Sequence, residues 1–253
     1  MKYWISFVLL ITSLPAMSEI HTPHCLAGCP EGVDTSNDLI VRDIYTISSN
    51  DETKFTDWAA YTVTNESIGS GCSRKWKADP LLSNIETLSP SDYKGAHAQI
   101  GIDRGHQVPL ASVCGSPRWK EANYLSNITP QKSELNQGPW KYLEEKVRNI
   151  VLKDKYKIYV LTGPLYEKDM PKLPNASKSH SIPSGYWKIV STKEGDLIKS
   201  ASFIMDQDSK RKDNFCDKKV SLQEVEKRSG LALFPSTKEN VQINDSLFNT
   251  LCE

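Results

Sequence analysis

The sequence predicts an α+β fold in which a mainly antiparallel central β-sheet is flanked by helices. Three observations carry that expectation. Many short runs have strand composition, one amphipathic helix stands out, and strands and helices do not alternate as parallel βαβ units would require.

The elements follow in chain order. Residues 38–47 (DLIVRDIYTI) and 56–64 (TDWAAYTVT) alternate apolar and polar side chains and are rich in β-branched and aromatic types, as half-buried strands are. Residues 71–95, broken by proline and glycine, read as a long irregular connection. From Ala96 to Asp103 the chain reads as extended, leading into IDRGHQVPLAS (102–112). SNITP (126–130) reads as a short strand that Pro130 closes. Pro139 suits the first turn of a helix, after which Trp140, Leu143, Val147, Ile150 and Val151 share one face. Glu144 and Arg148, four apart, lie at the edge of that stripe. Residues 156–166, 186–192 and 200–206 have strand composition. SLQEVEKRSG opens on a Ser221…Glu224 capping-box pattern and stops at Gly230, which fits a short helix.

Residues 1–18 read as a signal peptide. Lys2 is followed by an apolar run from about Ile5 to Leu14, then Pro15 and Ala16-Met17-Ser18, with small residues where a signal peptidase cleaves. The run is shorter than the ~20 apolar residues of a spanning helix. No later segment is long and apolar enough for a membrane role, so the expectation is a secreted chain, periplasmic or extracellular, with residues 19–253 as one domain. Cys25, Cys29, Cys72, Cys114, Cys216 and Cys252 make an even six, which in an oxidising compartment suggests three disulfides. CLAGC places Cys25 and Cys29 close enough for a local bridge; His21 and His24 precede it, but the spacing fits no common zinc site.

Basic and acidic residues number 31 each, so the formal charge is zero. That argues against holding nucleic acid by bulk charge alone, but is compatible with a local basic cleft. Basic residues flank aromatics at Arg74–Lys77 (RKWK), Arg118-Trp119-Lys120 and Lys141-Tyr142.

The chain has no HExxH, GxSxG, P-loop or GxGxxG pattern. Of five histidines, only His106 lies among charged neighbours at the end of an expected strand. Arg104 precedes it by two, so a strand points both side chains to one face, and a nearby cation keeps an imidazole neutral, as a general base requires. Asn136 stands at the mouth of the amphipathic helix. There its amide would either cap the helix or offer oxygen to a hard cation such as Mg2+.

Three stretches together, DRGHQVPLAS, NYLSNITPQKSELNQGPW and TGPLYE (162–167), resemble the DNA/RNA non-specific endonucleases of the ββα-metal, or His-Me finger, superfamily. The likeness runs from about Cys25 to Cys252 and implies a ββα-metal active-site motif. It implies a secreted endonuclease that hydrolyses phosphodiester bonds of DNA and RNA, single or double stranded. A one-metal mechanism would leave 5′-phosphate and 3′-hydroxyl ends, with Mg2+ as cofactor or Mn2+ in its place.

Site residues carry over where they match. His106 would be the general base, Asn136 the direct protein ligand of the metal, and Glu144 would hold a water of its shell. Arg104 and Arg74 would neutralise charge on the scissile phosphate, with Arg148 and Asn127 in support. Asp103 would orient its neighbours. The likeness also implies bridges Cys25–Cys29 and Cys216–Cys252. Cys72 and Cys114 look additional, and a bridge between them would tie the Arg74 loop to the loop after His106. The rival expectation is a non-catalytic exported nucleic-acid-binding protein. The sequence leaves monomer and homodimer open.

Overall fold

The computed structural model describes residues 20–236, 242–244 and 246–252; the expected signal peptide lies outside them. The central element is an eight-stranded sheet. Its order is β1 (Asp38–Val41), β2 (Thr46–Ser49), β3 (Thr56–Val63), β6 (Ile158–Leu165), β7 (Gly185–Glu194), β8 (Leu197–Asp206) and β10 (Gln242–Asn244), with β9 (Lys219–Val220) also paired to β8. Every pairing is antiparallel except β10 with β8. A separate antiparallel ribbon joins β4 (Ile102–His106) to β5 (Ile128–Lys132).

Among the described residues six α-helices complete the fold: α1 (Ala96–Ile100), α2 (Leu110–Val113), α3 (Ser133–Asn136), α4 (Pro139–Asp154), α5 (Leu222–Ser229) and α6 (Leu247–Cys252). Helix α4 begins with Pro139 in its first turn, where proline's missing N–H costs nothing. Its buried stripe of Trp140, Leu143, Val147, Ile150 and Val151 packs with Tyr61, Val160, Tyr186 and Val190 of β3, β6 and β7. Trp58, Leu161, Trp187 and Ile189 form a second core with Val225 of α5. Alternate residues of the central strands thus face opposite helical layers. A third cluster, with Tyr93, Ile102, Leu125 and Ile128, packs the ribbon against the irregular stretch before it.

Helix α5 is capped as its sequence suggests: Ser221 Oγ accepts from the Glu224 backbone N–H at 3.1 Å, and Gly230 closes the helix at φ 74°. The cysteines pair as Cys25–Cys29, Cys72–Cys114 and Cys216–Cys252.

Three local expectations are corrected. The run 38–47 is two strands, β1 and β2, separated by a turn in which the Arg42 N–H donates to the Tyr45 carbonyl. The stretch Ala96–Asp103 is not extended throughout. It starts with helix α1, bracketed by Gly95 and Gly101 at φ 76° and 66°, a left-handed conformation that glycine adopts without penalty. Pro130 does not close a strand but sits inside β5, opposite Arg104. Proline is tolerated there because β5 pairs on one side only, so no second ladder needs its missing N–H.

Candidate active site

The ribbon β4–β5, the short helix α3 and the start of α4 surround a cleft of about 710 Å³. Arg74, Asp103, Arg104, His106, Asn136, Glu144 and Arg148 all line it. Strand pleat accounts for part of this convergence, since Arg104 and His106 are two apart on β4. Gly105 between them leaves room for the buried Gln131 side chain, since a Cβ there would lie 2.1 Å from its Oε1. Helical spacing accounts for Glu144 and Arg148, which share a face of α4.

His106 is half-buried at the cleft wall. Its Nε2 lies 3.3 Å from Asn123 Oδ1. The Asn123 amide is itself fixed, because its Nδ2 donates to the Ser73 carbonyl at 3.1 Å. With the amide oxygen turned to the ring, Nε2 carries the proton and Nδ1 keeps its lone pair. Burial, and after it the charge of Arg74, lowers the imidazole pKa to about 4. The ring is therefore neutral at pH 7. Trp76 packs against it with ring centroids 5.1 Å apart.

Asp103 is a four-way acceptor. Oδ1 takes hydrogen bonds from Ser133 Oγ (2.8 Å) and His97 Nδ1 (2.7 Å); Oδ2 takes them from Asn136 Nδ2 (3.0 Å) and Gln137 Nε2 (2.8 Å). Burial would raise its carboxyl, but these bonds outweigh it and hold the pKa below its ordinary value. Asn136 is the last residue of α3 and does not cap α4, whose N-cap is Gly138. With its Nδ2 committed to Asp103, the amide oxygen is the group left to the cleft.

Arg104 lies between Tyr93 and Trp76, at 5.2 and 5.8 Å from their ring centroids, and donates from Nη2 to the Pro90 carbonyl at 3.0 Å. The expected partnership with His106 is thus revised: the cation that depresses the imidazole is Arg74, from the preceding irregular loop. Arg74 is brought there next to the Cys72–Cys114 bridge. Arg148 reaches Ser112 Oγ at 3.4 Å. Asn127 does not line the cleft. Fully buried, it donates to the carbonyls of Val108 and Ala122 and accepts from the Val108 N–H, which fixes the turn after β4.

Two residues escaped the sequence reading. Asn123 opens the NYLSNITPQKSELNQGPW stretch but was given no role there, and its contact with His106 is what marks it. His97 has no acidic neighbour within a few positions, yet α1 folds it back onto Asp103.

The donor set fits a single hard cation. Asn136 offers a neutral oxygen, Glu144 a carboxylate nearby, and Asp103 is saturated by its four donors. A separate acidic group, Asp38, Asp51 and Glu86, lies elsewhere, as none of the three lines the cleft.

The chain is similar to known nucleases over most of its length. The family model described as DNA/RNA non-specific endonuclease matches residues 26–240. A nuclease of Serratia marcescens is 46% identical over 221 residues, covering 87% of this chain and 83% of its own. Nuclease C1 of Cunninghamella echinulata is 30% identical over 219 residues, covering 79% and 84%. The crystal structure of the EndoG/EndoGI complex superposes with a TM-score of 0.69 at 21% identity, over 82% of this chain and 90% of that one, which supports the fold. The chain belongs to the DNA/RNA non-specific endonuclease family.

Proposed function

We propose that this nuclease is an exported, single-domain, Mg2+-dependent enzyme that hydrolyses DNA and RNA without base specificity. The observation that carries the reading is that His106, its Nε2 held on Asn123, shares one cleft with the Asp103-oriented amide of Asn136.

In this reading His106 Nδ1 takes a proton from the attacking water, a role open to it because the ring is neutral at pH 7. Arg74 and Arg104 face the phosphate and neutralise the charge that builds on its oxygens. Arg104 is fixed for that task by its two aromatic neighbours and the Pro90 carbonyl. Asn136 would hold Mg2+, or Mn2+ in its place, and Glu144 would hold water in the ion's shell. A bound ion would supply stabilisation of the charge that develops on the leaving group, consistent with 5′-phosphate and 3′-hydroxyl products. Of the three carboxylates that line the cleft, Asp103 is taken up by its four donors and Glu145 pairs with Lys141, which leaves Glu144 to an ion's shell, so the reading is of one metal. Cationic contacts to phosphate are blind to base and sugar, which suits DNA and RNA alike.

Export is supported by the N-terminal pattern of the sequence and by three disulfides. Among the described residues no helix is long and apolar enough to cross a membrane. Degradation of plasmid DNA and of RNA with Mg2+, repeated in EDTA, tests the reading. Loss of both activities in EDTA is expected. A protein that binds nucleic acid but cleaves neither substrate would favour the non-catalytic alternative.

A further inference from the structure

Lys188 occupies an unusual place. It lies in the middle of β7, between Tyr186-Trp187 and Ile189-Val190, and its side chain is 0% exposed. Wholly buried lysines are rare unless paired, because the ammonium surrenders its hydration. The head of Lys188 sits 4.2 Å from the Trp140 ring centroid and 5.9 Å from that of Tyr61. Its ion-pair partner is Glu144, with Nζ to Oε1 at 3.4 Å.

Glu144 looks both ways. It belongs to α4, one turn beyond Trp140, and its side chain is 13% exposed, yet it lines the cleft. Lys188 is absent from that lining and approaches from the sheet behind the helix. The charged groups acting on Glu144 are Lys188 from the sheet, and Arg148 and Glu145 from its own helix. If packing were all this position required, an apolar side chain of similar length would serve without the desolvation penalty.

We propose that Lys188 is a positioning residue, holding the Glu144 carboxylate from behind so that its outward face meets the ion's water shell. This rests on the role given to Glu144 above, and neither group needs to change protonation for it. A carboxylate with a free torsion would sample orientations that do not serve the site; the ammonium, itself fixed over Trp140, removes that freedom.

The test is a double-mutant cycle with Lys188→Met, Glu144→Gln and the pair combined. For each protein we would measure kcat on DNA, the half-saturating Mg2+ concentration, the melting temperature, and the rise in melting temperature on adding Mg2+. Lys188→Met should lower kcat about ten- to a hundredfold and raise the Mg2+ requirement, as loss of an outer-shell partner does. It should also shrink the Mg2+-induced rise in melting temperature. The combined variant should be no less active than Glu144→Gln alone, and should melt higher than Lys188→Met because no buried carboxylate is left unpaired.

Wild-type kcat and Mg2+ response in Lys188→Met, with only a lower melting temperature, would show a structural role and overturn the proposal. So would multiplicative losses in the combined variant. Should Lys188→Met fail to fold, the comparison of the combined variant with Glu144→Gln still decides between coupled and independent action. Near-wild-type activity in Glu144→Gln overturns the Glu144 assignment itself, an outcome separate from the other two.

Discussion

Asn123 accepts the Nε2 proton of His106 at 3.3 Å while its own amide is anchored on the Ser73 carbonyl. That pair fixes which imidazole nitrogen is free. Asn123→Ala should leave the fold intact but lower kcat, because the ring then samples both tautomers and rotates more freely. The loss should be smaller than the ~10²–10⁴-fold expected for removing a general base outright. Steady-state kinetics on a defined oligonucleotide check this, and an unchanged kcat would show that the contact does not orient the base.

The pH profile follows from the same residue. Burial and Arg74 hold His106 at about 4, against 6.5 for a free imidazole. Activity should therefore persist well below pH 6.5 and fall as the pH drops toward 4, where the ring charges. Stability has the same sign. The unfolded chain takes up the proton first, so stability present above pH 6.5 is lost as the pH falls through the interval. Arg74→Ala should move the acidic limb upward, and rate measurements across that interval would detect it.

Asp103 accepts from Asn136 Nδ2 and so orients the amide proposed above as the metal ligand. Asp103→Ala frees that amide to rotate, and the half-saturating Mg2+ concentration should rise about 10–100-fold, with partial recovery at high Mg2+. Asn136→Ala should show a larger defect of the same kind. Mg2+ titrations of both variants would decide it; wild-type Mg2+ dependence in both would remove Asn136 from the metal site.

The Cys72–Cys114 bridge closes a sequence separation of 42 next to Arg74. Replacing both cysteines with serine should reduce stability by up to about 4 kcal/mol in the chain-entropy picture. Activity per folded molecule should also fall, since Arg74 loses its tether. Denaturant melts and rates measured well below the melting transition separate the two effects.

What was legible in the sequence and what was not has a physical pattern. Helix α4 was legible because sixteen residues repeat one apolar stripe, and the central strands because they are rich in β-branched and aromatic residues. Helix α1 was not. Five residues are too few for a periodic signal, and its limits are set by two glycines in left-handed conformations. The positions of His106 and Asn136 were legible because local motifs mark them. Their supports were not, because each is a tertiary contact: Asn123 is 17 residues from His106, and Lys188 is 44 from Glu144. A lysine within a strand of apolar neighbours reads as a solvent-facing position, whereas it points into the core toward a carboxylate.

The central claim is that His106 is the general base of a metal-dependent phosphodiesterase. The most direct measurement is the turnover of His106→Ala on plasmid DNA at saturating Mg2+, with circular dichroism confirming the fold. We expect a loss of ~10²–10⁴-fold with an unchanged Mg2+ requirement. A folded His106→Ala protein that cleaves at the wild-type rate would contradict the account.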